Sequence, residues 1–258
     1  MKQPIDILNP LVAEMLKSIE DVLRANKVDY YLVGAMARDI RLSVREGFEA
    51  KRKTNDVDIA VLLSNENQFY DIIDALKATS LFEQSDASVF KLIFKEAIEV
   101  DLLPYGDIEN NDRQLTLSKH TFLVMDMSGF KEVHSFKEEL TVAEGISLSV
   151  CSLEGLVILK LIANNINPDR TKDIIDIEHI LEVYFELNAN EIYEDFMGVM
   201  ELYDTTINNY LTLVSARIIG RKMKNILLNS TATHQLIKNI LAKRPVDIWH
   251  AMLEGISE

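Results

Sequence analysis

Past residue 152 nearly every segment of this chain spaces its apolar residues as a helix does, whereas before it short β-rich runs alternate with helices. That switch constrains the fold more than any other feature. It predicts an α/β (α+β) half over 1–150 and a helical half over 151–258. Asn9-Pro10 reads as a helix start, since proline is tolerated at the first helical position. Leu11, Met15, Ile19, Val22 and Leu23 then keep one face apolar. Tyr30–Val33 reads as a strand ending at Gly34, with a helix after it. Val57–Leu63 reads as a strand, Asn65–Thr79 as an amphipathic helix, and Val89–Phe94 and Ile98–Leu103 as strands around a turn at Lys95–Ala97. Further strand signals fall at Thr121–Met125, Lys131–His134 and Ile146–Val150. Ser152 is an acceptable cap for a helix that the Asn164–Thr171 run breaks. Helices are expected over 172–187, 190–204, 206–228, 232–243 and 246–254.

Composition removes several classes of function. The 258 residues carry 27 Lys+Arg against 41 Asp+Glu, a net charge of −14, which argues against coating nucleic acid by bulk electrostatics. One cysteine excludes a disulfide framework and a cysteine-based zinc cluster, and suits a reducing cytoplasm. No apolar run is long enough to span a bilayer, and MKQPIDILNP lacks the order of a signal peptide, so a cytoplasmic protein with no membrane partner is expected. The charge is uneven: residues 173–216 hold ten carboxylates and no Lys or Arg, whereas 217–258 carry seven cations and three anions.

The most informative segment is Asp56-Val57-Asp58-Ile59-Ala60-Val61. Side chains alternate along a strand, so Asp56 and Asp58 share one face while Val57, Ile59 and Val61 take the buried one. Two adjacent carboxylates repel unless a cation lies between them, and hard ions such as Mg²⁺ or Mn²⁺ take oxygen ligands of this kind together with substrate phosphates. A solvated strand edge would carry the same pair. Asp101 sits in a similar setting, two residues after Glu99, and would complete a three-carboxylate site if its strand neighbours the first. Upstream, Gly34-Ala35-Met36-Ala37-Arg38-Asp39 follows a strand and opens a helix. Backbone N–H groups at such a helix start bind phosphate, and glycine permits close approach; an ordinary strand–helix turn would look the same.

Taken in order, strand–Gly–helix, then Asp-x-Asp on a strand about 20 residues later, then a lone strand aspartate, resembles the nucleotidyltransferase superfamily. The similarity is nearest to AbiEii/AbiGii-type proteins, the toxin components of type IV toxin–antitoxin systems. Gly34 to Asp39 also looks like the Gly-x-x-x-Arg-Asp turn of tRNA CCA-adding enzymes and poly(A) polymerases. The resemblance spans about Val28 to Leu103, and more loosely runs to residue 182. It implies a mixed sheet with flanking helices, a helical domain closing a nucleotide cleft, and metal-dependent transfer of a nucleoside monophosphate from an NTP with release of pyrophosphate. Asp56, Asp58 and Asp101 would bind the metal, Asp101 would help activate the acceptor hydroxyl, and Gly34, Ala35 and Arg38 would meet the nucleotide. The acceptor would be an RNA such as a tRNA end, or a protein, and a cognate antitoxin would be a partner. Where the family has Gly-Gly or Gly-Ser, this chain has Gly34-Ala35, and Ala35 offers only its backbone N–H. A housekeeping transferase for a tRNA end or a small molecule, or a nucleotide- or RNA-binding module with weakened catalysis, are the alternative functions.

In the helical half, Lys160 lies within a strongly apolar helix, where an ammonium is costly unless it reaches water or an anion. Arg170, Lys172, Asp173 and Asp176 follow. That pattern is similar to AbiEii-type proteins, where the lysine approaches the triphosphate; Lys160, Asp173 and Asp176 are therefore nucleotide-site candidates, with snorkelling and surface ion pairs as the plainer reading. Lys51-Arg52-Lys53 with Arg38, Arg41 and Arg45 would form a basic rim able to steer an NTP or an RNA end, or a solvated loop. Arg217, Arg221, Lys222 and Lys224 would touch a nucleic-acid backbone or pair with the acidic stretch. The five histidines lack ligand spacing, and Cys151 reads as packing.

Overall fold

The computed structural model describes residues 9–43, 56–117, 120–143, 146–244 and 247–258. The chain divides into two compact units, Met1–Ser152 and Leu153–Glu258.

The first unit opens with α1 (Pro10–Ala25), whose cap is Asn9: its side chain accepts from Leu11 N–H at 2.8 Å, and Pro10 takes the first turn. There follow β1 (Tyr30–Val33), α2 (Gly34–Ser43), β2 (Asp56–Leu63), α3 (Glu66–Ala78), β3 (Phe82–Gln84), β4 (Lys91–Phe94) and β5 (Ile98–Gly106). After these come β6 (Gln114–Leu117), β7 (His120–Asp126), α4 (Phe130–His134), β8 (Glu138–Ala143) and β9 (Ile146–Val150). Asn65 caps α3 by accepting from Gln68 N–H at 3.0 Å, and Gln68 answers by accepting from Ser64 N–H at 2.9 Å.

Seven of these strands form one mixed sheet in the order β3-β4-β5-β2-β1-β9-β8, while β6 and β7 pair separately. The pair β2–β5 is parallel, as is β1–β9; β1–β2, β3–β4, β4–β5 and β8–β9 are antiparallel. The expected mixed sheet with flanking helices is present. In β2 the alternation is strict at its start: Val57, Ile59 and Val61 are fully buried, Asp56 is exposed and Asp58 is half-buried. Each buried aliphatic side chain contributes roughly 1.5–3 kcal/mol, which locks the face on which the aspartates stand. Arg41 of α2 donates to the carbonyls of Val150 (2.7 Å) and Cys151 (2.8 Å) and pairs with Glu138 at 2.6 Å, fastening α2 to β8 and the end of β9. Arg41 is thus a structural strut rather than part of a basic rim, and Cys151 is buried. Lys51-Arg52-Lys53 and Arg45 lie outside the described residues.

The second unit is helical: α5 (Leu153–Ile166), α6 (Thr171–Leu187), α7 (Ala189–Asp195), α8 (Met197–Met200), α9 (Tyr210–Ile226), α10 (Thr231–Ala242) and α11 (Asp247–Ser257). Helices α9 and α11 cross at two glycines: a Cβ on Gly220 would lie 2.2 Å from the Met252 carbonyl oxygen, and one on Gly255 2.1 Å from that of Arg217. Arg217 pairs with Glu254 and Glu258, Arg221 with Glu258, and Lys222 with Glu191 (2.7 Å) and Glu154 (3.5 Å). Of the four cations, Lys222 pairs with the acidic stretch, through Glu191, whereas Arg217 and Arg221 pair with carboxylates at the end of the chain instead.

Two expectations need correction. Lys131–His134 is helical within α4, not a strand: Gly129 at φ +93° turns the chain into a five-residue helix, too short for periodicity to reveal. The helix expected over 190–204 is split into α7 and α8, because Phe196 leaves helical geometry between them.

Candidate active site

Four neighbouring strands bring the acidic residues together. Asp58 of β2 is the register partner of Asp101 on the parallel strand β5, and Asp56 is the partner of Glu99. On the far side of β5, Lys91 of β4 faces Asp101; on the far side of β2, Val33 of β1 faces Asp58. Register partners project to the same side of a sheet, with strands about 4.8 Å apart. The row Lys91–Asp101–Asp58 therefore ends at the point where β1 gives way to α2.

That junction is Gly34, at φ +67°, a left-handed conformation that an L side chain adopts only with strain. A Cβ there would lie 2.0 Å from Asp58 Oδ2. The glycine is thus required twice, by its own backbone and by the carboxylate lying against it. The first backbone N–H groups of α2 follow directly, at Ala35 and Met36, in the position where a helix start offers donors to an anion.

Burial raises the carboxyl of Asp101 above its usual range; Lys91 opposes this, while Asp56 and Glu99 add to it. Lys91 is held above the ordinary lysine range, first by its hydrogen bond to Glu99 and then by the charges of Asp101, Glu99 and Asp56, against its own burial. Its Nζ contacts Glu99 and stands 3.9 Å from Asp101 Oδ1. Among the described residues no three His, Cys, Asp or Glu side chains form a ready-made ion cage. The donor set nevertheless fits a hard divalent cation: it is oxygen-only, and it is carried on facing register positions of neighbouring strands.

Arg38, one turn into α2, is buried at 1 % exposure, with its Nε 2.8 Å from Asp39 Oδ1. It belongs to the packed part of the helix rather than to a solvent-facing rim. Lys160, Asp173 and Asp176 are brought together in the second unit. The Lys160 ammonium donates to Asp173 Oδ1 at 3.1 Å and Asp176 Oδ2 at 2.7 Å, and Arg170 Nε donates to Asp173 Oδ2 at 2.6 Å. All three are buried, Lys160 at 7 % exposure.

Lys91 and Glu99 are site residues that motif reasoning passes over as functional. Once the β4–β5 turn is located at Lys95–Ala97, counting outward along an antiparallel hairpin puts Lys91 opposite Asp101, so that signal was available.

A family model described as "Nucleotidyl transferase AbiEii toxin, Type IV TA system" matches residues 19–256. A search of curated proteins returns no match. Among solved structures, the antibiotic-resistance factor ANT(2'')-Ia in solution is 12 % identical over 83 % of this chain and 95 % of its own, with a TM-score of 0.42. The lincomycin-bound lincosamide antibiotic adenylyltransferase LnuA is 18 % identical over 64 % of this chain and 92 % of its own, at 0.39. An antigenic nucleotidyltransferase-like protein from Paracoccidioides brasiliensis is 15 % identical over 71 % and 88 %, at 0.42. Likeness at this level bears on neither substrate nor mechanism.

Proposed function

The chain belongs to the AbiEii nucleotidyltransferase family, and from that premise we propose that it moves a nucleoside monophosphate from an NTP to an acceptor hydroxyl and releases pyrophosphate, as a toxin of that type. The observation that carries this reading is the register of β2 and β5, which sets Asp58 beside Asp101 next to the Gly34 turn.

Asp56, Asp58 and Asp101 are the proposed ligands of Mg²⁺ or Mn²⁺. When bound, two such ions would neutralise phosphate charge and lower the pKa of an acceptor hydroxyl. The chain's own groups account for the rest. Gly34 lets the turn lie close to Asp58 without a side chain intervening, and the N–H groups of Ala35 and Met36 donate to phosphate oxygens. The acceptor oxygen attacks the α-phosphorus as its proton passes to the Asp101 carboxylate, and the bond to the bridging α,β oxygen breaks to free pyrophosphate. Lys160 is the proposed triphosphate ligand of the helical unit, with Asp173 and Asp176 orienting its ammonium. Arg38 is proposed to steady α2 beneath the nucleotide. The proposed acceptor is an RNA end, tRNA first, with a protein hydroxyl as the other candidate and a cognate antitoxin as the proposed regulatory partner.

Incubation with each α-³²P-labelled NTP, Mg²⁺ and total tRNA tests the reading. Label should appear on RNA or on protein, and Asp58→Asn should lower it about 10²–10³-fold, the scale on which a transition-state contact is lost. Melting temperature raised by an NTP, but no label on any acceptor, would favour a binding module whose Gly34-Ala35 turn no longer supports catalysis.

A further inference from the structure

The acidic face carries a cation of its own. Lys91 stands on β4 directly across from Asp101 and reaches diagonally to Glu99. Its side chain is 22 % exposed, and that of Asp101 29 %, so the pair is neither sealed in the core nor fully in solvent. A cross-strand lysine–carboxylate pair is an ordinary way to stabilise a sheet. This one differs in its partner, which is the aspartate whose other neighbour across the sheet is Asp58. A lysine ammonium is a compact point charge on a flexible stem, with three donors and no fixed fork. It can therefore follow a carboxylate, and it can also be moved off one.

We propose that Lys91 is a tethered counter-cation of the acidic face, lying against Asp101 and Glu99 while no divalent ion is present and competing with such an ion for Asp101. Lys91 thereby weakens ion binding in the absence of nucleotide and keeps the metal-free face folded. It is a positioning residue, and the inference rests on the reading that Asp101 holds a divalent ion. The β4–β5 hairpin supplies the tether: its three-residue connection Lys95–Ala97, with Lys95 and Glu96 at φ +46° and +57°, is short and holds the register. An ion arriving at Asp101 and Asp58 meets an ammonium already there, and like charges at such separations exclude one another.

The test is titration of the whole protein with Mn²⁺ alone, read by Mn²⁺ electron paramagnetic resonance, together with melting in EDTA and in Mn²⁺. Lys91→Met should bind Mn²⁺ about fivefold more tightly than the wild type, equivalent to ~1 kcal/mol for a part-exposed ion pair. It should melt lower than the wild type in EDTA and gain more from Mn²⁺. Lys91→Arg, which keeps the charge, should hold Mn²⁺ within about twofold of the wild type on the same scale. Lys91→Gln carries the same expectation as the methionine variant if the latter does not fold. Unchanged or weaker Mn²⁺ binding by the neutral variants overturns the inference. Asp101→Asn separates the two levels: if it loses Mn²⁺ while Lys91→Met is unchanged, only the counter-cation falls. If Asp101→Asn binds as the wild type does, the ion reading falls with it.

Discussion

Two groups of aspartates in this chain are held in opposite ways. In the helical unit Asp173 and Asp176 close on the Lys160 ammonium inside the protein, with Arg170 on the outer oxygen. On the sheet Asp58 and Asp101 are set beside each other by strand register, with Asp101 still 29 % exposed. The first arrangement is a buried set of opposite charges that is costly to break. The second places like charges together where an ion or a phosphate can reach them. The difference teaches that the helical cluster answers its buried carboxylates with cations of its own, whereas the sheet face leaves like charges side by side, which suits the ion binding proposed for it.

The contrast is broken most severely at Lys160. Lys160→Met leaves Asp173 and Asp176 buried beside a neutral side chain and should cost about 3–5 kcal/mol of stability, measured by urea unfolding. Replacing all three by neutral residues of similar size should recover much of that loss. If the single variant is as stable as the wild type, the cluster is not the closed unit described above.

Gly34→Ala strikes the sheet side. A Cβ 2.0 Å from Asp58 Oδ2 forces the carboxylate away, and φ +67° strains the alanine. An ångström of misplacement at such a site costs about 10²-fold in rate, so NMP incorporation should fall by that order while the fold survives. Full activity in this variant would show that Asp58 need not lie against the turn.

Two aspartates of the first unit sharpen the comparison through pH. Asp101 is held above the usual 3.8, first by burial. Its contribution to stability is therefore present below the range of an unfolded aspartate and is lost as pH rises through its folded value. Burial also acts to raise Asp29, but hydrogen bonds from Lys137 and His134 outweigh it and leave the carboxyl lowered. Its contribution is present above about 3.8 and is lost as pH falls through the lower folded value. In EDTA at neutral pH, Asp101→Asn should melt at or above the wild type and Asp29→Asn below it, with both differences shrinking on acidification. Shifts of the same sign would contradict the assigned environments.

The smallest effect is at the hairpin turn. Glu96→Gly relieves a left-handed glutamate at φ +57° and should add about 0.5–1 kcal/mol without moving the register of Lys91 and Asp101. A calorimetric loss of stability would mean that the side chain does more than occupy the turn.

Much of the sheet side was legible from residue order. The apolar run behind Asp56 and Asp58, the strand around Asp101 and the glycine after β1 each carry local signals, and the structure places the two strands in one mixed sheet with Gly34 opening α2 beside them. The pairing of β2 with β5 was open, because parallel strands joined through α3, β3 and β4 leave no mark of their register in local spacing. The short strands β3, β6 and β8 were missed. Phe82–Gln84 is only three residues long, and Glu138–Ala143 begins with two charges at a sheet edge. In the helical unit the apolar spacing revealed most of the helices but not the break at Phe196, where no proline or glycine marks the change of backbone geometry. Lys160 was legible as an ammonium in an apolar helix; that its partners are Asp173 and Asp176 required the fold.

The central claim is tested most directly by one paired measurement: NMP incorporation from α-labelled NTP, and thermal stability, on Asp101→Asn and Lys160→Met side by side. The account predicts that Asp101→Asn loses about 10²–10³-fold in incorporation with its melting temperature kept or raised, while Lys160→Met melts well below the wild type. Incorporation by Asp101→Asn at the wild-type level, with the fold intact, would contradict it.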